Sequence, residues 1–209
     1  MNIKVYRGTH QIGGCVTEYE YQGRHLFVDY GEELPGGPQT GDLQVEGLTY
    51  GDISKSALLI THYHGDHIGC IPKLPKDLPI FMGRISRDIQ MELSNRLQMV
   101  DVFHTFEPGR PFSWGSFHIM PVTVDHSAFD AYAFKVEAGG VSVFHTGDFR
   151  THGFRSGRLS DVIEKFVGKV DYAVCEATNI SRPLAASQSE HDLQKEYQEL
   201  FKENTGNIV

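Results

Sequence analysis

The stretch Ala57-Leu58-Leu59-Ile60-Thr61-His62-Tyr63-His64-Gly65-Asp66-His67 runs from an apolar strand-like segment directly into three histidines and an aspartate within six residues. Imidazole nitrogen and carboxylate oxygen are donors that zinc takes at roughly 2.0–2.2 Å, so such groups must converge on one small volume. His62 and His64, two apart in extended backbone, project to one side, and a turn at Gly65 swings Asp66 and His67 toward a neighbouring position. One short loop therefore offers two pairs of ligands for two adjacent metals. The plain alternative is a polar surface loop that happens to be rich in histidine. The apolar strand before it, and the companions found elsewhere in the chain, speak against that.

Those companions stand at the ends of three other apolar strands, where loops converge. Val122-Thr123-Val124-Asp125-His126 puts His126 just past one strand. Val143-Phe144-His145-Thr146-Gly147-Asp148 puts Asp148 past a second, and Phe27-Val28-Asp29 puts Asp29 past a third. A lone histidine or aspartate at a strand end is ordinarily a turn or capping residue. Three of them beside a loop already dense in ligands read as parts of one site.

Composition bounds the rest. The chain has 209 residues, 40% of them hydrophobic, enough for a substantial core in one domain. A net charge of −8 excludes a global basic field that would concentrate nucleic acid, but not a local strand-binding groove. Cys15, Cys70 and Cys175 are odd in number and far apart, which argues against a disulfide framework or a zinc ribbon and predicts small buried apolar residues. The opening segment shows no secretory apolar region, and no stretch is long and apolar enough to span a bilayer. A soluble cytoplasmic protein without membrane contact is the expectation.

Periodicity predicts strands at 3–7, 15–21 and 24–30, the last two joined by a tight Gln22-Gly23 turn. Residues 31–52 read as a long surface loop. A short strand at 79–82 precedes a helix over 84–100, whose stripe Ile85, Ile89, Leu93, Leu97 and Val100 is expected to face the core. Strands follow at 102–106, 111–114, 117–124, 132–137 and 141–146. A helix over 160–167 with Ser160 as N-cap leads to a buried strand at 170–175. A last helix starts at Ser189 with a capping-box pattern to Asp192, carries the stripe Leu193, Tyr197, Leu200 and Phe201, and stops at Gly206. Residues 207–209 look like a strand barely begun. Strands in two blocks, each followed by helices, fit two sheets packed face to face with helices outside.

The order His-x-His-x-Asp-His, then a later histidine, then an aspartate in a Thr-Gly-Asp-Phe context resembles the metallo-β-lactamase-fold hydrolases. The resemblance implies an α/β fold, the four-layer αβ/βα sandwich, incomplete here at its C-terminus. It also implies that His62, His64 and His126 hold one zinc, that Asp66 and His67 hold a second, and that Asp148 bridges both. Asp29 would orient the metal loop from behind the ligands.

Three further segments resemble the β-CASP, ribonuclease J-like branch: His145 to Arg150, Asp125-His126-Ser127 with Asp130-Ala131, and Cys175-Glu176-Ala177-Thr178-Asn179. In that branch Glu176 marks the point where an extra domain is inserted, so residues 1–180 are expected as the catalytic domain and 181–209 as the start of the insert. That insert would supply two more histidines. His191 is the one histidine after Glu176, and its place in the first turn of an amphipathic helix predicts a solvated residue. The chain is therefore expected to be a fragment of a longer nuclease.

Two divalent ions, zinc or alternatively manganese, about 3.5–4 Å apart would give a bridging hydroxide as nucleophile, with Asp66 and Asp148 as the least replaceable residues. The implied substrate is RNA, and a homo-oligomer is compatible with everything read so far. Arg150, Arg155, Arg158 and Arg182 offer a local basic rim, although a solvated charged face is the ordinary reading. Two alternatives differ in class. One is a dizinc hydrolase of a small ester, thioester or lactone. The other is a non-catalytic scaffold subunit of a nuclease complex, against which the full ligand set argues.

Overall fold

The structure, a computed structural model, describes residues 1–37, 39–182, 188–204 and 206. β1 (Asn2–Arg7), β2 (Val16–Tyr21) and β3 (Arg24–Val28) pair antiparallel. Gln22 and Gly23 join β2 to β3 with φ of 53° and 69°, the two-residue turn whose twist matches the strands. β3 stops two residues short of the expected Tyr30 because Asp29 takes φ 61° and turns its carboxylate onto Thr61. β4 (Ser56–Leu59), β5 (Ile80–Gly83) and β6 (Phe103–Phe106) then add in parallel, completing a six-stranded sheet ordered β1 to β6. Every residue of β4 is buried, as a central parallel strand requires.

The second sheet holds β7 (Phe112–Trp114), β8 (Phe117–Thr123), β9 (Tyr132–Ala138), β10 (Val141–His145) and β11 (Tyr172–Val174), in the order β11-β10-β9-β8-β7. Tyr19, Leu26, Val28 and Leu59 of the first sheet pack on Phe117, Ile119, Phe134 and Val136 of the second, forming the apolar layer between them. The outer face of the first sheet is covered by Val45, Leu48, Ile68 and Leu97. On the outer face of the second sheet, Ala131 and Ala133 lie under Leu159 of α3 (Leu159–Phe166). The result is the four-layer sandwich expected of the sequence, with two sheets face to face.

Several elements depart from expectation for identifiable reasons. The long helix stops early: α2 covers Arg84–Leu93, and Ser94 is extended. Its core face is polar, not apolar, because Ser86 is fastened to Asp130 through its N–H (2.8 Å) and hydroxyl (2.9 Å). Ser86 and Gln90 are therefore buried while Leu93 is 76% exposed, and Leu97 reaches the core only from the turn beyond the helix. The segment 31–52 is irregular, but Val45 and Leu48 dip into the core, so it is not a surface loop throughout. α3 starts at Leu159 after a helical turn at Ser156–Arg158, which places Ser160 inside the helix and not at its cap. β11 is shorter than 170–175 and exposed, since it pairs with β10 on one side only. Of the cysteines, Cys70 is buried, Cys15 half-buried and Cys175 exposed, so burial describes only the first.

α4 (Glu190–Glu203) has the capping box of Ser189 and Asp192, and ends at Asn204, before Gly206. The expected strand start at 207–209 lies outside the described residues. No described helix is long and apolar enough to cross a membrane.

Candidate metal centre

Parallel pairing brings the C-terminal ends of β3 and β4 together, and there the loops bearing Asp29 and His62 begin. Two backbone bonds lock them, Tyr30 N–H to His67 O (2.8 Å) and Glu32 N–H to Gly65 O (3.0 Å), and Cys15 N–H to Asp66 O (3.2 Å) ties in the segment before β2. A Cβ on Gly31 would lie 1.6 Å from the Asp66 carbonyl oxygen, so only glycine lets these two loops approach. The sequence between His64 and Ile68 closes into a single helical turn, α1 (Gly65–Ile68), which carries Asp66 and His67. The second sheet is tied in by Tyr132 N–H to Thr61 O, at 3.0 Å.

Two clusters of donors result, one of His62, His64 and His126, the other of His62, His67 and Asp148. His64 Nδ1 stands 3.1 Å from His62 Nε2 and 3.1 Å from His126 Nε2. His67 Nε2 lies 3.4 Å from Asp148 Oδ2 and 3.8 Å from Asp66 Oδ2, and His126 Nε2 is 4.0 Å from Asp148 Oδ2. All six residues named from the sequence thus converge, with Asp66 at the margin beside His67.

Asp29 works from beneath. Its carboxylate accepts from Thr61 N–H (2.8 Å), Thr61 Oγ1–H (2.8 Å) and His67 Nδ1–H (2.7 Å). Thr61 Oγ1 in turn takes His62 Nδ1–H at 3.0 Å. With both Nδ1 atoms occupied as donors, His62 and His67 present Nε2 to the cluster. Thr61 was not singled out in the sequence; its signal was its place between the strand and the first histidine.

The electrostatics agree with a cation position. Burial, and then the charge of neighbouring histidines, holds His62 well below the ordinary imidazole pKa. Burial likewise lowers His64 and His126. Neutral imidazole is the form that ligates metal. At His67, burial opposes the charged form but the carboxylates of Asp29 and Asp148 overcome it and raise the pKa well above ordinary. Burial would raise Asp148, but the adjacent His67, its Nε2 3.4 Å from the carboxylate, holds it low. Most telling, His67 Nε2 is buried and, among the described residues, has no partner in hydrogen-bond geometry, the Asp148 carboxylate standing 3.4 Å away. Such a nitrogen is costly unless a metal takes its lone pair, so the donor set fits a divalent ion.

The other residues named from sequence are placed as follows. Glu176 accepts from Phe149 N–H (3.4 Å) and Thr178 N–H (3.1 Å), so it braces the Asp148 loop. Arg150 is not a free rim cation: it binds Asp125 Oδ1 at 2.9 Å and Glu190 at 2.6 Å. Arg155 lies over the Phe129 ring at 5.0 Å, Arg182 is exposed, and the side chain of Arg158 lies outside the described residues. His145 stays out of both clusters; its Nδ1 is hydrogen-bonded with the Tyr19 hydroxyl at 2.8 Å. His191 is exposed, edge-on to Phe154.

A cleft of about 490 Å³ opens over Asp66, His67 and Asp148, walled by the 8–15 loop and by residues 176–181.

Residues 53–194 match the model of the β-lactamase superfamily domain. Ribonuclease J of Mycobacterium tuberculosis is 30% identical over 204 residues, an alignment covering 91% of this chain and 36% of that protein. Ribonuclease J of Corynebacterium glutamicum is 31% identical over 210 residues, covering 92% of this chain and 28% of its own length. The chain thus spans about a third of the curated relatives it matches. Among solved structures, a protein of unknown function from Enterococcus faecalis V583 superposes with a TM-score of 0.83 at 22% identity, covering 99% of this chain and 58% of that one. The metallo-β-lactamase fold protein YhfI from Bacillus subtilis superposes with a TM-score of 0.50 at 19% identity, over 76% of this chain and 66% of that one. Fold, donor set and relatives agree: the chain belongs to the β-lactamase superfamily, has the metallo-β-lactamase fold, and falls in its ribonuclease J-like branch.

Proposed function

We propose that this chain carries the catalytic centre of a metal-dependent ribonuclease that binds two zinc ions and hydrolyses RNA phosphodiester bonds. The observation that carries the reading is the pair of donor clusters sharing His62, with His67 Nε2 buried and unpartnered between Asp66 and Asp148. RNA as substrate is supported by the ribonuclease J relatives. His62, His64 and His126 would hold one ion, Asp66 and His67 the other, with Asp148 shared; manganese is compatible with the same donors. Bound there, the ions supply Lewis acidity toward a phosphoryl oxygen and activate a water for attack.

The chain's own residues do the rest. Asp29 and Thr61 fix the tautomers and ring planes of His62 and His67. Asp66, at the cleft floor with one oxygen toward His67, orients the attacking water and takes its proton. Glu176 holds the Asp148 loop in register with the metal loop.

In this reading residues 1–180 are the catalytic unit and 181–209 open a β-CASP-type insert in a cytoplasmic enzyme. Residues 191–203 of α4 are exposed on every side, Leu193, Tyr197, Leu200 and Phe201 included, which suits a helix whose apolar stripe awaits another domain.

The test is metal analysis of the full-length gene product together with assay on end-labelled RNA and on bis(p-nitrophenyl) phosphate. About two equivalents of zinc and chelator-sensitive RNA cleavage are expected. Asp148→Ala should lose both bound metal and hydrolysis, with kcat down at least about a thousandfold. A metal-free protein inert toward RNA overturns the reading, and full activity with two ions in Asp148→Ala overturns the shared-ligand assignment.

A further inference from the structure

The 8–15 loop closes one wall of the cleft and is built with unusual strictness. Gly8, His10, Gly13 and Gly14 all take positive φ, at 109°, 60°, 79° and 66°. Three of these are glycines, for which that conformation is free; His10 is the exception, and bears the steric cost of a side chain there. The loop is also stapled down. The buried Arg7 guanidinium donates to Gly14 O (2.8 Å) and Gly31 O (2.6 Å), and Cys15 N–H bonds Asp66 O at 3.2 Å. A Cβ on Gly13 would already stand 2.9 Å from the Cβ of Asp66. The loop is therefore fixed to the metal loop itself.

From this fixed loop His10 is presented at the cleft that Asp66, His67 and Asp148 also line. Its side chain is exposed and makes no hydrogen bond or ion pair among the described residues. A side chain that stabilises nothing in the fold, held in a costly backbone conformation over reactive groups, marks a site for something else. The floor of the cleft is acidic, whereas the polyanionic substrate proposed above needs donors along its backbone. The neighbouring Gln11 amide is already engaged with Gly13 O at 3.3 Å, so His10 is the side-chain donor the loop can offer, and the exposed Ile12 (52%) and Ile180 (85%) stand on facing sides for a base or ribose.

We propose that His10 is a substrate-positioning residue: its imidazole N–H binds a non-bridging oxygen of a phosphate flanking the scissile bond. The proposal rests on the phosphodiesterase reading and names a contact outside the metal motif. The experiment uses the full-length, metal-loaded protein and two probes, a fluorescent 2′-O-methyl RNA oligonucleotide that resists cleavage and its cleavable RNA counterpart. His10→Ala should weaken binding of the first and raise KM for the second by about tenfold, the effect of one lost charge-assisted hydrogen bond, with kcat within about twofold. Zinc content should not change. His10→Asn tolerates the same left-handed backbone but cannot reach as far, so it separates contact from loop shape. It should bind as poorly as His10→Ala. Oligonucleotide affinity and KM at wild-type values in both variants, or restored by His10→Asn alone, overturn the proposal and leave the phosphodiesterase reading standing. A wild-type protein that neither binds nor cleaves the probes overturns both.

Discussion

At the scale of single residues, the site depends on a few atoms that admit no alternative. Gly31 is the clearest. Its α-carbon faces the Asp66 carbonyl so closely that a methyl group would overlap it at 1.6 Å, and the obstacle is backbone, which cannot rotate away. Gly31→Ala should therefore cost about 3 kcal/mol or more, lowering Tm by roughly 10 °C, and should loosen the metal loop at the same time. Thermal unfolding monitored by circular dichroism checks this; a Tm unchanged within 2 °C, roughly the shift expected of a surface substitution, would show that the two loops part easily. Asp29 is demanding in another way. A buried carboxylate accepting three hydrogen bonds from Thr61 and His67 is what converts a loop of flexible imidazoles into an ordered donor set. Its place at a strand end was readable, and the family resemblance implied its orienting role; its left-handed backbone, φ 61°, was in neither.

At the scale of elements, α4 is attached, among the described residues, through its first turn. Glu190 N–H bonds His152 O (2.9 Å), Glu190 takes Arg150 Nη2 (2.6 Å) and Phe154 N–H (3.1 Å), and Arg150 is held from behind by Asp125. Arg150, neither a rim cation nor a merely solvated charge, is the rivet between the Asp148 loop and the final helix. Arg150→Ala should raise amide exchange at residues 190–196 by about tenfold while the sheets exchange as before, which hydrogen–deuterium exchange mass spectrometry reads directly. Unchanged exchange would mean that the capping box of Ser189 and Asp192 suffices. The apolar stripe on α2 makes a related point. Periodicity places a helix at Arg84 correctly, yet the face it turns inward is set by Ser86 and Asp130, a contact across 44 residues that no local pattern encodes.

At the scale of the whole molecule, one buried hydrogen bond joins the two sheets beside the site. The Tyr19 hydroxyl on β2 and His145 Nδ1 on β10 are hydrogen-bonded at 2.8 Å. Burial depresses the His145 pKa to about 4 from an ordinary 6.5. The unfolded chain therefore binds a proton through a range in which the folded one does not. The stability so contributed is complete above about pH 6.5 and is lost as pH falls toward about 4, to a total of roughly 3 kcal/mol. Urea midpoints measured across that range should fall with acid in the wild type and fall less steeply in His145→Gln. Parallel curves for the two proteins would remove His145 from the account.

The sequence by itself pointed to a set of metal-donor side chains and to the kind of fold. Ligand types must sit at short spacings after a strand to reach one ion, and strands alternate or run apolar according to which faces they bury, so both leave local signatures. The grouping of His62, His64, His67, His126 and Asp148, with Asp66 beside them and Asp29 beneath, was expected for that reason and the structure brings them together, as it does the two sheets of the sandwich. Only the tertiary structure decided that Thr61 links Asp29 to His62, that Gly31 lies against Asp66, that Arg150 is consumed by Asp125 and Glu190, and that β11 is an exposed edge. Each is a contact between segments distant in the chain, fixed by how the two sheets bring their loops to one end. Local residue patterns carry no record of it.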